Sequence, residues 1–382
     1  MKARMRGADI PPFYAGEIGL KGLARARKGH TLLSMNFGQP TAGAPTVAIE
    51  EAHRVLDAET LGYYESVPLR ERLVQHYQDT YGVSLVPEQI LLTVGASAAL
   101  VAAFSALFQP GDRIALVQPG YPAYRNTLRA MALEPVEMRC AAESGFKPTV
   151  EMLESIDPRP DGFVLASPAN PTGAMLSGSE LALIVDYCQS VGITLISDEI
   201  YHGLTYGDRA VSALEIDPDS VVINSFSKLY RMPGWRLGWM VVPYAWAPKM
   251  SAYLINMFLT PPTLSQYAAL AAMDVHDDLH SWVDIYRQNR DRLIAGLDAM
   301  GITGIAPPEG AFYLYADVGH VTQDSLQFCL RLVEETGIAL APGIDFDPEH
   351  GHRFIRFSFA VKPEEIEHAL QLLGDWLPSY TD

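Results

Sequence analysis

Between residues 90 and 242, short apolar runs alternate with stretches of helical period. Residues 90–94 read as a strand and 97–108 as a helix, and Gln109-Pro-Gly-Asp112 is a turn. Further strands are expected at 113–117, 162–166, 194–197, 221–224 and 237–242, with a helix over 179–191. Apolar strands separated by helices predict a mostly parallel sheet covered on both faces. Ligands of such sheets sit beyond the carboxyl ends of the strands. After residue 260 the pattern changes. A long helical stretch runs over 264–300, a strand over 311–317, a helix over 324–335, a strand over 353–359 and a helix over 363–377, which is an α+β arrangement. The first forty or so residues, rich in Gly and Pro, read as an arm and a strand.

At 382 residues and 48% hydrophobic composition the chain is too long for one simple core, so two lobes are expected. A net charge of −17 argues against nucleic-acid or anionic-membrane partners, although one local pocket can still be basic. Cys140, Cys188 and Cys329 form no CxxC pair. Neither a metal site nor a disulfide framework is expected, and a reducing, cytoplasmic setting fits. The basic start of the chain, MKARMRGADIPPFY, is followed by no apolar core, so it does not read as a signal peptide.

The candidate chemistry lies just past the predicted strands. Ser225-Phe-Ser-Lys228 follows the strand at 221–224, and Arg236 comes shortly after in a Gly-containing stretch. A lysine between elements is usually a surface residue. Here hydroxyls and an arginine accompany it, and together these suit a phosphate ester beside a Schiff-base lysine. Asp198 closes the strand at 194–197. It is either a helix N-cap or a carboxylate for a pyridinium nitrogen, with Tyr201 near enough to donate to the same ring system. Asn170, in Ser167-Pro-Ala-Asn-Pro-Thr-Gly173, is a turn former whose amide is a second candidate donor. Thr93-Val-Gly-Ala-Ser97 opens a helix, where free N–H groups at Ala96 and Ser97 bind anions. Tyr121 is a core aromatic or a stacking platform. Arg356, in a strand among aromatics, needs an anionic partner: a structural carboxylate or that of a substrate.

In this order the segments resemble the class I/II aminotransferases among the fold-type I pyridoxal-phosphate (PLP) enzymes. The matching motifs are Asn170-Pro-Thr-Gly173, Ser197-Asp-Glu-Ile-Tyr201, Ser225-x-Ser-Lys228, Gly234-Trp-Arg-Leu-Gly238, Gly310-Ala-Phe-Tyr313 and Ala341-Pro-Gly343, with Arg356. The resemblance implies a large domain (45–275) with a mostly parallel seven-stranded sheet covered by helices. It also implies a smaller α+β domain (276–382), with 1–44 as an arm that joins the small domain. Lys228 would hold PLP as a Schiff base and move the proton, and Asp198 would pair with the ring nitrogen. Asn170 and Tyr201 would hold the phenolic oxygen, and Tyr121 would stack on the ring. Ala96, Ser97, Ser225 and Arg236 would hold the phosphate. Arg356, Asn170 and the backbone at Gly38 would bind the substrate carboxylate. The resemblance further implies an amino acid and a 2-oxo acid as substrates, ping-pong transfer, and a homodimer with shared sites. Tyr63 would reach the partner's phosphate, or Tyr64 would, since the stretch before Leu69-Arg70 is shortened. Ser97 stands where some aspartate-using relatives carry a lysine, which speaks against aspartate as the favoured donor.

Three other readings remain at this level: a PLP-dependent carbon–sulfur β-lyase on the same fold, a non-catalytic PLP-binding regulator, and a nucleotide-binding α/β enzyme. No basic helical domain precedes the sheet, and neither GxxxxGK[ST] nor GxGxxG follows a strand.

Overall fold

The computed structural model describes residues 10–380; the first nine positions of the predicted arm lie outside the described residues. In chain order the elements begin with α1 (Tyr14–Ala26), β1 (Leu33–Ser34), α2 (Thr46–Ala58), α3 (Val67–Tyr81), β2 (Ile90–Thr93), α4 (Gly95–Leu107), β3 (Arg113–Gln118) and α5 (Pro122–Ala130). Next come β4 (Glu134–Arg139), α6 (Val150–Glu154), β5 (Gly162–Ala166), α7 (Gly178–Val191), β6 (Thr194–Asp198), β7 (Val221–Ser225), β8 (Gly238–Val241), α8 (Ala247–Phe258) and α9 (Thr263–Ala272). The C-terminal part holds α10 (His276–Ala299), β9 (Gly304–Ile305), β10 (Tyr313–Asp317), α11 (Ser325–Glu335), β11 (Ile338–Ala339), β12 (Ala341–Pro342), β13 (Phe354–Ser358) and α12 (Pro363–Trp376).

Seven strands form one sheet in the order β2-β8-β7-β6-β5-β3-β4, and β8 alone runs against its neighbours. Every residue of β2, β7 and β8 is buried. Uninterrupted apolar runs of this kind are what a sheet covered on both faces requires. Six carboxyl ends therefore open at the same edge. A second, antiparallel sheet, β12-β13-β10-β9, carries the C-terminal core.

Three features depart from the sequence reading. The first forty residues contain the helix α1, and β1 pairs in parallel with β11. Their side chains Ile18, Leu33 and Met35 share a core with Leu332, Val333 and Ile338. The N-terminus of α1 is capped from 331 positions away: the Asp345 carboxylate accepts from the N–H of Tyr14 (2.9 Å) and of Ala15 (2.8 Å). The α1 glycines allow close packing; a Cβ at Gly19 would lie 2.7 Å from the Phe37 ring. Second, the helical stretch over 264–300 breaks into α9 and α10. Asp277 and Asp278 occupy the first turn of α10, where the helix dipole favours them, and Asp278 also holds Arg231 at 2.5 Å. Third, β4 is an extra parallel strand at the sheet edge, with a largely half-buried and polar sequence.

Candidate active site

The loops after β3, β5, β6 and β7, with the start of α4, converge on one cleft of about 260 Å³. Its walls include Gly38, Ala96, Ser97, Tyr121, Asn170, Asp198, Tyr201, Lys228, Arg236 and Arg356, so the cleft gathers ten of the twelve residues singled out from the sequence. The two outside it are Ser225 and Tyr63. Among the described residues the walls hold three cations, Lys228, Arg236 and Arg356, against one carboxylate, Asp198. In a chain of charge −17 this is a local basic pocket, built for anions.

Lys228 follows β7, and its Nζ donates to the Gly38 carbonyl at 2.5 Å. Burial, followed by the charge of Arg356, pulls its ammonium pKa down to about 8. Asp198 ends β6 and is buried. Its Oδ2 accepts from the Tyr124 hydroxyl at 2.6 Å and its Oδ1 from the Ile200 N–H at 3.2 Å. Burial pushes this carboxyl up, while those two bonds and Lys228 hold it down. Its neighbour Glu199 points elsewhere, to Ser212 and the Ala213 N–H, so Asp198 alone serves the cleft. Asp198 is thus a carboxylate at a strand end facing a cavity; it caps no helix.

Arg356, on β13, is fully buried. Its Nη1 donates to Asn170 Oδ1 (2.9 Å) and its Nη2 to the Asn36 carbonyl (2.5 Å), while Nε has no hydrogen-bond partner among the described residues. The guanidinium lies 4.4 Å from the Tyr313 ring and 4.6 Å from the Phe346 ring. No carboxylate pairs with it among its hydrogen bonds. Asp345 acts on it through charge without a hydrogen bond, and a buried cation hydrogen-bonded only to neutral groups suits an anion. Because a guanidinium can only donate, Asn170 must present its oxygen to Arg356, which leaves its NH2 for a further acceptor.

A second feature suited to an anion is the start of α4, where no side chain of the N-cap residue bonds the first turn. Arg236 lies against it: a Cβ at Gly95, which has φ +75°, would meet Arg236 Nη2 at 2.5 Å. Glycine at position 95 therefore makes room for the guanidinium beside the free N–H groups of the helix.

Of the two remaining residues, only Ser225 departs from the sequence reading. Ser225 turns away from the cleft, its hydroxyl 2.9 Å from both the Leu237 carbonyl and Ser227 Oγ, and it is Ser227 that lines the wall. Tyr63 does not line its own chain's cleft; its side chain is 82% exposed. Tyr64 instead stacks on Tyr267 at 5.1 Å. Two further tyrosines, Tyr124 and Tyr313, also line the cleft. Tyr124 lies three positions after Tyr121, in the first turn of α5, and its ring meets Tyr121 edge-on. Tyr313 closes the Gly310-Ala-Phe-Tyr motif, and its hydroxyl meets that of Tyr201 at 2.6 Å. The motif was visible, but the partner across the lobes was not.

Among the described residues, no helix is long and apolar enough to cross a membrane, and the three cysteines are free and buried.

Comparison with known proteins agrees with this geometry. The family model for aminotransferase class I and II matches residues 30–373. The valine–pyruvate aminotransferase of Mycobacterium tuberculosis is 42% identical over 379 residues, covering 97% of this chain and 98% of its own. The aspartate/prephenate aminotransferase of Thermus thermophilus is 31% identical, covering 95% of each. A crystal structure of an aminotransferase from Mycobacterium tuberculosis superposes with a TM-score of 0.96 at 42% identity, over 100% of both chains. That of the Thermus thermophilus aspartate aminotransferase with maleate gives 0.91 at 30%, over 98% of this chain and 100% of its own.

Proposed function

The chain belongs to the class I and II aminotransferases, PLP-dependent enzymes that move an amino group from an amino acid to a 2-oxo acid, and on that footing we propose how its cleft divides the work and which donors it prefers. The donor set fits the cofactor. The uncapped start of α4 with Arg236 and Ser227 suits a phosphate dianion, Asp198 suits a ring cation, and the orphaned Nε of Arg356 suits a carboxylate. Bound there, PLP supplies an aldehyde that condenses with amines and a conjugated ring that takes up the electron pair released at the substrate Cα.

The protein's own residues do the rest. Ala96, Ser97, Ser227 and Arg236 hold the phosphate, with Ser225 supporting Ser227 from behind. Asp198, fixed by Tyr124, keeps the ring nitrogen protonated. Tyr121 covers the ring face. Asn170 and Tyr201 donate to the phenolic oxygen. Arg356, with the Gly38 backbone, fixes the substrate carboxylate and so aims the Cα–H bond at Lys228. Lys228 holds the cofactor, takes the Cα proton and passes it on. Such positioning contributes on the order of 7–11 kcal/mol at best, and the proton transfer about 10²–10⁴-fold.

The lobes divide as 45–275 and 276–382, with 1–44 joined to the second; the shared core of Ile18, Leu33 and Leu332 supports this. The working unit is a homodimer. Tyr63 is exposed beside the exposed Leu61, as a residue reaching a partner's phosphate would be in one protomer alone. Three free, buried cysteines are compatible with a cytoplasmic setting.

The preferred donor is a neutral, apolar amino acid. One observation carries this: Lys228, Arg236 and Arg356 all have tasks, and among the described residues no fourth cation lines the cleft to meet a side-chain carboxylate. Ser97 stands at the helix start, and Phe37 and Gln39 flank Gly38 on the wall. The valine–pyruvate relative supports the same preference. Single amino acids added to holoenzyme, followed by bleaching of the visible band, test it. Valine and alanine should react at least about tenfold faster, as kcat/KM, than aspartate, whose second carboxylate would be desolvated unpaired. A faster reaction with aspartate would overturn the preference.

A further inference from the structure

Two tyrosines from different lobes meet in the wall of the cleft. Tyr201 lies just past β6 and Tyr313 begins β10, and their hydroxyl oxygens stand 2.6 Å apart with the rings edge to face. The approach is held from both sides. The Ala311 N–H donates to the Leu204 carbonyl (2.9 Å), the Tyr206 N–H to the Glu309 carbonyl (3.0 Å), and the Tyr206 hydroxyl to the Ala311 carbonyl. Gly38 leaves the space that the Tyr313 hydroxyl needs, since a Cβ there would fall 1.9 Å from it.

A hydroxyl has one proton to give. If Tyr201 spends its own on the cofactor's phenolic oxygen, its oxygen is the acceptor of the bond with Tyr313, and Tyr313 must be the donor. We propose that Tyr313 is a positioning residue for Tyr201: its hydroxyl donates to Tyr201 Oη, which aims the Tyr201 proton at the phenolic oxygen and strengthens that donation. The proposal rests on the Tyr201 assignment made above. The surroundings favour this polarity. Arg356 lies 4.4 Å from the Tyr313 ring, and its charge offsets part of the upward push of burial on the Tyr313 hydroxyl, making it a better donor. Chained hydrogen bonds polarise one another in the same sense.

The test is the pH midpoint at which the visible band of the holoenzyme is lost, read in wild type, Tyr201→Phe, Tyr313→Phe and the double variant. Donation to the phenolic oxygen favours the deprotonated chromophore, so weaker donation raises the midpoint. Tyr201→Phe should raise it most. Tyr313→Phe should raise it by roughly half a pH unit to one unit, the size expected of one neutral hydrogen bond. In the Tyr201→Phe background, Tyr313→Phe should add nothing. Because the ring over Arg356 is kept, the donor KM should stay within about twofold. Gly38→Ala crowds the same hydroxyl from outside and should move the midpoint upward too, which provides a second route if Tyr313→Phe loses cofactor. An unmoved or lowered midpoint in Tyr313→Phe, with Tyr201→Phe raised, overturns the relay but keeps Tyr201. An equal shift in both backgrounds overturns it as well. No shift in Tyr201→Phe removes the Tyr201 assignment and the relay together.

Discussion

Lys228→Ala is expected to abolish amino-group transfer, with turnover falling by at least about four orders of magnitude, because anchoring and proton transfer are lost together. The variant should still fold. The Nζ makes one hydrogen bond, to the Gly38 carbonyl, and its charge is buried at a cost that alanine removes. Borohydride should fix the cofactor permanently to wild type and not to this variant, and near-normal turnover in Lys228→Ala would refute the assignment. The same lysine sets a pH dependence for apoenzyme reconstitution. Its pKa is depressed from 10.5 to about 8, and only the neutral amine attacks an aldehyde. At pH 7 roughly a tenth of the lysine is neutral and at pH 8 about half, so capture of added PLP should quicken about fivefold from pH 7 to 8 and by at most about twofold more above. Stopped-flow absorbance measures this directly. A flat profile between pH 6 and 8 would mean that another group limits capture.

Much of this site was legible before any coordinates, for a definite reason. In a mostly parallel sheet the functional side chains hang from strand ends, and strand ends are where apolar runs stop: Asp198 after residues 194–197, Lys228 after 221–224, Asn170 after 162–166. Turn chemistry marks the same places, as Gly95 does at the start of α4. What stayed hidden depends on contacts between distant segments. The cap of α1 is Asp345, so no local signal announced that helix, and its glycines read as loop rather than as close packing against Phe37. The break between α9 and α10 carries no Gly or Pro; it coincides with the ion pair of Asp278 and Arg231. Ser225 and Ser227 are two positions apart, and spacing alone does not say which hydroxyl a turn after a strand directs into the cleft. Tyr124 and Tyr313 are hardest of all, since each bonds a residue far away in sequence: Asp198 for the first, Tyr201 for the second.

The dependence of Asp198 on Tyr124 shapes the second large effect. Asp198→Asn keeps the shape of the side chain: its one oxygen can accept from the Ile200 N–H while its NH2 donates to the Tyr124 hydroxyl oxygen, which reverses that bond and orphans neither partner, so the fold and the cleft should survive. Only the charge is lost. Without an anion beside it, the ring nitrogen gives up its proton, and the charge that builds as the Cα proton leaves has nowhere favourable to go. A preorganised electrostatic group of this kind is typically worth about 10²–10³-fold in kcat. In the proposed division of work Lys228 and Arg356 act independently of this charge, so the loss should appear in kcat more than in the donor KM, with weaker cofactor retention beside it. Tyr124→Phe separates charge from its support. It removes one donor to a carboxylate that burial already pushes toward protonation, so the carboxyl pKa should rise and kcat should fall on the acidic side, by roughly tenfold at most. At higher pH, where Asp198 is ionised regardless, Tyr124→Phe should approach wild type while Asp198→Asn stays low. Steady-state kinetics across pH tell the two apart. Unchanged kcat in Asp198→Asn at every pH would mean that the buried carboxylate at the end of β6 is there for the fold and not for the ring.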